Sequence, residues 1–263
     1  MRAVVVAFLA VASPLAAQSA SGHLALGIAA YDARDPAAAA EQFRTALADD
    51  STALAHDSLA YEGNWRLALA LVDIGKQIPD SVKSSARDSL YALAEQHARR
   101  AVAAEPAAAN GHFVLALAIG RGSLSKSKKE RIQRAAEIRT EALTAIELDP
   151  GHDGAFHLLG RWNAEIMRLS GFSRFFARSF LGAGVFKQAS WQAAIENLER
   201  AVQLDPSRIY HHLDLAEVYI DRKRFADARA ELEKVDTLPL RDVLDSAYKA
   251  DAAALRAKIA DKR

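Results

Sequence analysis

The chain has 263 residues, 51% of them apolar and 25% charged, and a net charge of +1 at neutral pH. That balance creates no global field to draw nucleic acid or an anionic membrane, and the absence of cysteine excludes disulfides and thiolate zinc sites. Ala, Leu, Arg, Glu and Lys dominate and seven prolines punctuate the chain, a composition that favours helix throughout.

The N-terminal stretch MRAVVVAFLAVASPLAAQ places one basic residue, Arg2, before an apolar run from Ala3 to Ala12, then Ser13-Pro14 and Leu15-Ala16-Ala17. This is the layout of a secretory signal peptide spanning residues 1–17, cleaved after Ala17. The apolar run is shorter than the roughly 20 residues a membrane-spanning helix needs, and no later segment is longer. A soluble exported protein, periplasmic or secreted, with no transmembrane segment in its mature form, is the expectation.

Three sites share one ending: RAVAAEP to Pro106, TAIELDP to Pro150 and RAVQLDP to Pro206. Each closes an amphipathic helix, since Pro cannot continue one and suits the first turn of the next. An Ala/Leu-rich helix follows each Pro: HFVLALAIG, AFHLLGRWN and YHHLDLAEVYI. Small residues fall at fixed places, among them Gly27, Ala39, Ala194 and Ala228, where paired helices would approach too closely for a larger side chain.

These features resemble the tetratricopeptide repeat, a helix–turn–helix unit of about 34 residues. The match is cleanest in the last repeat, with Leu215, Ala216, Tyr219, Ala228, Leu232 and Pro239, and also holds in the first, with Leu26, Gly27, Ala39, Phe43 and Ala46. The intervals from Pro106 to Pro150 and from Pro150 to Pro206 are 44 and 56 residues. Those repeats therefore carry a surplus of roughly 10 and 22 residues over the expected period, and the second repeat carries another near Gly75–Ser85. The expected fold is all-α: a solenoid of five hairpins (20–53, 54–106, 107–150, 151–206 and 207–240) with insertions between paired helices and a capping helix over 241–263.

Within the fourth repeat, LGRWNAEI at Leu159–Ile166 precedes a Phe-rich insertion, a Gly182-Ala183-Gly184 loop and the helix WQAAIENLERAVQLDP. That order resembles the regulator of microtubule dynamics family, whose repeat domain carries a G-R-W motif, a short hydrophobic hairpin ending in a Gly-containing loop, and an E-A-x-x-x-[FL]-x-[KR]-A-x-x-L-x-P helix. Gly160, Arg161 and Trp162 supply the motif, and the likeness runs over about Ser89 to Pro239. It implies a non-enzymatic helical-repeat protein associated with microtubules or organelle membranes, with lipid binding among some members.

Chemistry-bearing residues are sparse. His152 and His157 lie five apart, and His211-His212 precede Asp214, but no H-E-x-x-H or comparable metal spacing occurs. These histidines read as polar surface positions, with no metal and no cofactor expected. In GRGSLSKSKKER at Gly120–Arg131, Ser125 stands where a phosphate-binding loop needs Gly. The cluster of Arg121, Lys126, Lys128, Lys129, Arg131 and nearby Arg134 reads first as a solvated loop and second as a contact for an anionic partner or phospholipid headgroups, and without interleaved aromatics it argues against a nucleic-acid surface. No G-x-S-x-G or paired-carboxylate signature marks a catalytic centre.

Function is left to the inner groove of the solenoid. The repeat register puts Phe113, Leu117, His157, Arg161, Leu213, Glu217 and Ile220 on it. Phe172, Phe175, Phe176 and Phe180 stand at i, i+3, i+4 and i+8, the face of a short amphipathic helix that packs as extra core or serves as a groove lid or membrane contact. The leading expectation is a non-enzymatic scaffold of the cell envelope that binds a protein or peptide. The alternatives are a carrier of lipid or another apolar small molecule and, third, an enzyme of unlegible chemistry.

Overall fold

The computed structural model describes residues 19–49, 58–169 and 184–262. They form α1 (Ala20–Asp32), α2 (Pro36–Asp49), α3 (Ser58–Lys76), α4 (Ser85–Ala104), α5 (Ala109–Gly122), α6 (Lys128–Leu148), α7 (Asp153–Arg168), α8 (Trp191–Leu204), α9 (Ile209–Asp221), α10 (Phe225–Thr237) and α11 (Asp245–Lys258). Single 3₁₀ turns occupy Ser123–Ser125 and Gly184–Gln188. Helices α1 to α10 pair as five successive hairpins and α11 caps the last. The first helices of the hairpins, α1, α3, α5, α7 and α9, also touch their successors, forming the inner layer of a tetratricopeptide-type solenoid. The signal-peptide segment and the Phe172, Phe175, Phe176 and Phe180 stripe lie outside the described residues.

The repeated helix ending has a backbone cause. A residue before proline is pushed out of the helical region, and Glu105, Asp149 and Asp205 adopt nearly the same extended angles, φ/ψ of −140°/84°, −138°/96° and −135°/89°. Contrary to expectation, the prolines do not sit in the first turn of the following helix. Each lies in a tight turn, stabilised at two of the three sites by the preceding Asp side chain, which accepts from Gly151 N at 2.8 Å and Ser207 N at 3.0 Å. The next helix starts three residues beyond.

Between paired helices, the uninterrupted first and fifth repeats turn through Arg34 and Lys223, both left-handed at φ 66° and 58°. In the second and third repeats the surplus residues extend helices rather than building long loops: α3, α4 and α6 have 19, 20 and 21 residues, against 13 or 14 for the helices of the first and fifth. Ser84, Ser127 and Ser190 cap α4, α6 and α8 with their hydroxyls, satisfying an otherwise orphaned amide in each.

The core falls into two large clusters. One joins the first three repeats around Phe43, Leu67, Leu71, Tyr91 and Ile119. The other joins the last two repeats and the cap around Leu198, Leu215, Leu232 and Ile259. Small residues let the helices close: Ala39, Ala194 and Ala228 are fully buried, and a Cβ on Gly27 would stand 2.4 Å from the Phe43 ring. Phe186, from the edge of the Phe-rich stretch, is buried against Trp162 at 6.2 Å between ring centroids.

Candidate functional site

The inner layer encloses a cavity of about 570 Å³. Every first helix contributes to it, and so does the segment leading into the cap: Tyr31 from α1, Trp65 and Asp73 from α3, Phe113, Leu117 and Arg121 from α5, His157 and Arg161 from α7, Tyr210 and Asp214 from α9, and Asp242 and Tyr248 from the C-terminal end. The solenoid therefore brings its first and last repeats to one space.

Most charges on this wall are held by one another. Tyr31 donates its hydroxyl to Asp73, which also pairs with Lys76 at 3.1 Å; burial and the Asp73 charge push the Tyr31 hydroxyl well above its ordinary range. Arg121 donates to Asp80 at 3.2 Å and to the Tyr91 hydroxyl at 3.3 Å. Arg208, at the start of α9, reaches Asp242 at 3.0 Å and so ties the pre-cap segment to the last repeat.

The α7–α9 seam is the most polar part. Arg161 donates to Asp214 and Glu217, both at 2.9 Å, and Arg168 reaches Asp221 at 2.8 Å and Glu165 at 2.6 Å. His157 Nε2 stands 2.9 Å from Asp214, His211 Nε2 stands 2.8 Å from Asp153, and the two Nδ1 atoms are 3.0 Å apart. Burial opposes ionisation of both carboxylates, but His211 and Arg208 hold Asp153 down at about 2, and Arg161 with His157 holds Asp214 well below the usual carboxylate range. Glu217, crowded by burial and by Asp214, is pushed up instead.

The Gly160-Arg161-Trp162 motif turns successive residues to three neighbours, as the 100° step of a helix requires. A Cβ on Gly160 would stand 2.7 Å from Leu198 Cγ and 3.1 Å from the Ala194 carbonyl, so α7 and α8 meet there almost backbone to backbone. Arg161 points to the cavity and α9. Trp162 is buried and donates Nε1–H to the Ala135 carbonyl of α6 at 2.8 Å.

Of the groove residues expected from the repeat register, Phe113, Leu117, His157 and Arg161 line the cavity. Leu213 does not: it is buried with Ala252 in the core, because α11 lies along α9 and covers that face. Glu217 and Ile220 border a separate, smaller depression of about 240 Å³ with Arg168 and Leu255. The surface assignment of the histidines is overturned for two of them, while His152 and His157 are half-buried and line the cavity. His211 and His212 are fully buried, and His152 caps α7 by accepting from Ala155 N at 3.1 Å.

A recurring device explains one of these burials. His212 contacts the Pro206 carbonyl at 2.9 Å and Glu231 of α10 at 2.6 Å; His112, in the third repeat, contacts the Pro106 carbonyl at 2.9 Å and Glu141 of α6 at 2.6 Å. The residue six after the repeat's proline thus ties the turn to the second helix. In the fourth repeat that place holds Phe156, which takes the Arg200 guanidinium of α8 over its ring at 5.9 Å. The basic segment at 120–131 divides: Arg121 faces the cavity, Ser127 and Glu130 form a capping box that starts α6, and Arg134 pairs with Glu95. Among the described residues no His, Asp or Glu group has the geometry of a metal site, and no helix is long and apolar enough to cross a membrane.

Hairpins of this geometry, with an inner layer of first helices around a concave cavity, define a tetratricopeptide-type helical-repeat protein. Its solved likenesses agree: a thermophilic TPR protein of Thermus thermophilus, with a TM-score of 0.60 at 18% identity over 90% of this chain and 100% of that one, and Pseudomonas aeruginosa pilF, with a TM-score of 0.51 at 13% identity over 91% of each. The family model described as Regulator of microtubule dynamics protein 1-3 matches residues 35–260, and the chain belongs to that family. It is 26% identical over 208 residues to Regulator of microtubule dynamics protein 3 of Rattus norvegicus and 25% identical over 199 residues to Regulator of microtubule dynamics protein 1 of Bos taurus. Each match covers 75% of this chain but only 42% and 62% of those relatives.

Proposed function

We propose that the chain is a non-enzymatic scaffold whose cavity binds a peptide segment of a partner protein. The observation that carries this is the wall itself: aromatic faces from Tyr31, Trp65, Phe113, Tyr210 and Tyr248 alternate with polar and charged groups along a continuous concave surface. A peptide offers both kinds of contact, whereas an apolar chain would have to desolvate Asp73, Asp153 and Asp214 without replacing their water. That favours the peptide over a lipid ligand. Asp73, Asp214 and Asp242 of the wall are tied into ion pairs with Lys76, Arg161 and Arg208, which suits a shaped binding surface better than a catalytic centre.

The signal-peptide layout of residues 1–17 supports a place for the scaffold in the cell envelope, where its partner would differ from the microtubule association carried in the relatives' names. N-terminal sequencing of the protein recovered from its host checks the cleavage after Ala17.

The binding experiment is selection of peptides from a displayed random library on the purified chain, followed by direct affinity measurement. Binding is expected to disappear in Leu117→Arg, which places a long charged chain on the cavity wall, while circular dichroism stays unchanged. Peptides that bind this variant as well as the parent would refute the site. A co-purified lipid seen by native mass spectrometry would favour the carrier, and tubulin co-sedimentation tests the relatives' named activity.

A further inference from the structure

We propose that His157 and His211 form a proton-holding pair in the cavity wall, and that the proton it holds stitches the fourth repeat to the fifth and makes peptide binding respond to pH. The regulatory part of this inference rests on the peptide-binding reading above; the pair itself does not.

Proton counting carries the argument. Asp153, His211, His157 and Asp214 stand in a row joined by three contacts of 2.8, 3.0 and 2.9 Å. Each contact needs one proton between its two heavy atoms. An ionised carboxylate brings none, and a neutral imidazole brings one, on one nitrogen only. Two ionised carboxylates and two neutral imidazoles therefore supply two protons for three contacts. With both imidazoles neutral, one contact sets a lone pair against a lone pair or an oxygen.

The row itself shows where the third proton sits. Asp153 is held ionised by the hydrogen bond from His211 and the charge of Arg208, and Asp214 by Arg161 and His157. Burial drives the His211 imidazole down to about 4, against the pull of Asp153. One arrangement satisfies all of this. His157 is an imidazolium, donating Nδ1–H to His211 and Nε2–H to Asp214, and neutral His211 donates its Nε2–H to Asp153.

The groups facing the pair are consistent with that state. From α7 come Asp153 and Arg161; from α9 come Asp214, which Arg161 shares, and Tyr210, whose ring meets His157 and His211 edge-on at 4.8 and 4.4 Å. Arg208 reaches in from the start of α9 while held by Asp242, Arg168 adds its charge beyond Asp214, and Tyr248 of α11 stands 6.4 Å from Tyr210.

Loss of the third proton has two consequences. It removes one of the links between α7 and α9, leaving that seam to the Arg161 and Arg168 ion pairs. It also removes a positive charge from a wall that Asp153, His157, Arg161 and Asp214 all line. Peptide affinity then changes with pH, at most about tenfold per pH unit, the limit for one linked proton, and falls with rising pH for a peptide that sets a carboxylate against this wall.

The test is nitrogen-15 NMR of the full, unliganded chain labelled at histidine, titrated with pH and assigned through His157→Gln and His211→Gln. At about pH 5 and just above, before His211 itself charges, His157 should show two protonated nitrogens and His211 one, at Nε2. Both rings should then change together in one step, because the proton belongs to the pair. Asp214→Asn is the discriminating variant. Its amide can donate to His157 Nε2, so two neutral imidazoles complete the row, and both the shared step and the pH dependence of affinity for a selected peptide should vanish. A neutral His157 throughout the titration, two independent steps, or an unaltered step in Asp214→Asn would overturn the proposal. Because the titration uses no ligand, its result is independent of whether a peptide is found.

Discussion

Gly160→Ala adds one methyl group to α7, and the structure sets its sign. The new Cβ would stand 2.7 Å from Leu198 Cγ and 3.1 Å from both Leu198 Cδ2 and the Ala194 carbonyl. Leu198 is fully buried, so its side chain has nowhere to swing, and the carbonyl is backbone. The helices must part by some tenths of an ångström. Overpacking of this kind costs about 1–3 kcal/mol, while Ala in place of Gly inside a helix returns about 1 kcal/mol. With backbone on one side of the contact the cost lies in the upper part of its range, so a net loss of about 1–2 kcal/mol is expected. Gly120→Ala in α5 is the control. Its Cβ would meet only Ile138 Cδ1, at an ordinary 3.9 Å, so the propensity gain stands alone and the variant should be more stable by about 0.5–1 kcal/mol. Urea unfolding followed by helical circular dichroism measures both. Equal shifts of the same sign would show that the close α7–α8 approach does not govern the first motif residue.

Trp162→Phe removes the Nε1–H bond to Ala135 and some buried ring volume, and should cost about 1–3 kcal/mol in the same assay; an unchanged midpoint would refute the anchoring role. Lys223→Gly relieves the left-handed backbone at φ 58° on an exposed turn and should stabilise by about 0.5–1 kcal/mol, since Gly lifts most of a penalty of about 1–2 kcal/mol but adds unfolded-chain entropy. Burial holds the His97 and His211 imidazoles down at about 4, below the free value of about 6.5. Between those values the unfolded chain binds more protons than the folded one, so stability should fall as pH drops from about 6.5 towards 4. A urea midpoint that holds or rises over that window would contradict the burial of these rings.

The fold was legible because its determinants are local. A proline forces the residue before it out of the helix, and small residues recur where the hairpin helices meet; both are visible within a few positions. Part of the cavity was legible for the same reason, since Phe113, Leu117, His157 and Arg161 follow from the register of a single helix. Tyr31, Asp73, Asp242 and Tyr248 were not, because they share a space only once the whole solenoid has coiled its ends together. Leu213 was misplaced because the register of α9 says nothing of α11 lying over it. The buried histidines were missed on residue type alone. Yet His112 and His212 both stand six residues after a repeat's proline, a coincidence of spacing that marks them as structural ties.

The three motif residues divide the work of α7 in a way that ordinary repeat positions do not. Gly160 sets how closely α8 can lie, Trp162 fixes α6 through one buried hydrogen bond, and Arg161 holds α9 through Asp214 and Glu217. Because successive helical positions differ by 100°, three adjacent residues can bind three different helices with no intervening turn. Of the three contacts, only that with α9 is between ionised groups, and Asp214 is also the end of the histidine row. The helix is thus fixed by packing on its outer sides and by charge on its cavity side. A change of proton occupancy would act on the one contact that faces the binding space and leave the packed contacts that hold the fold untouched. A binding response to pH therefore need not threaten the solenoid itself.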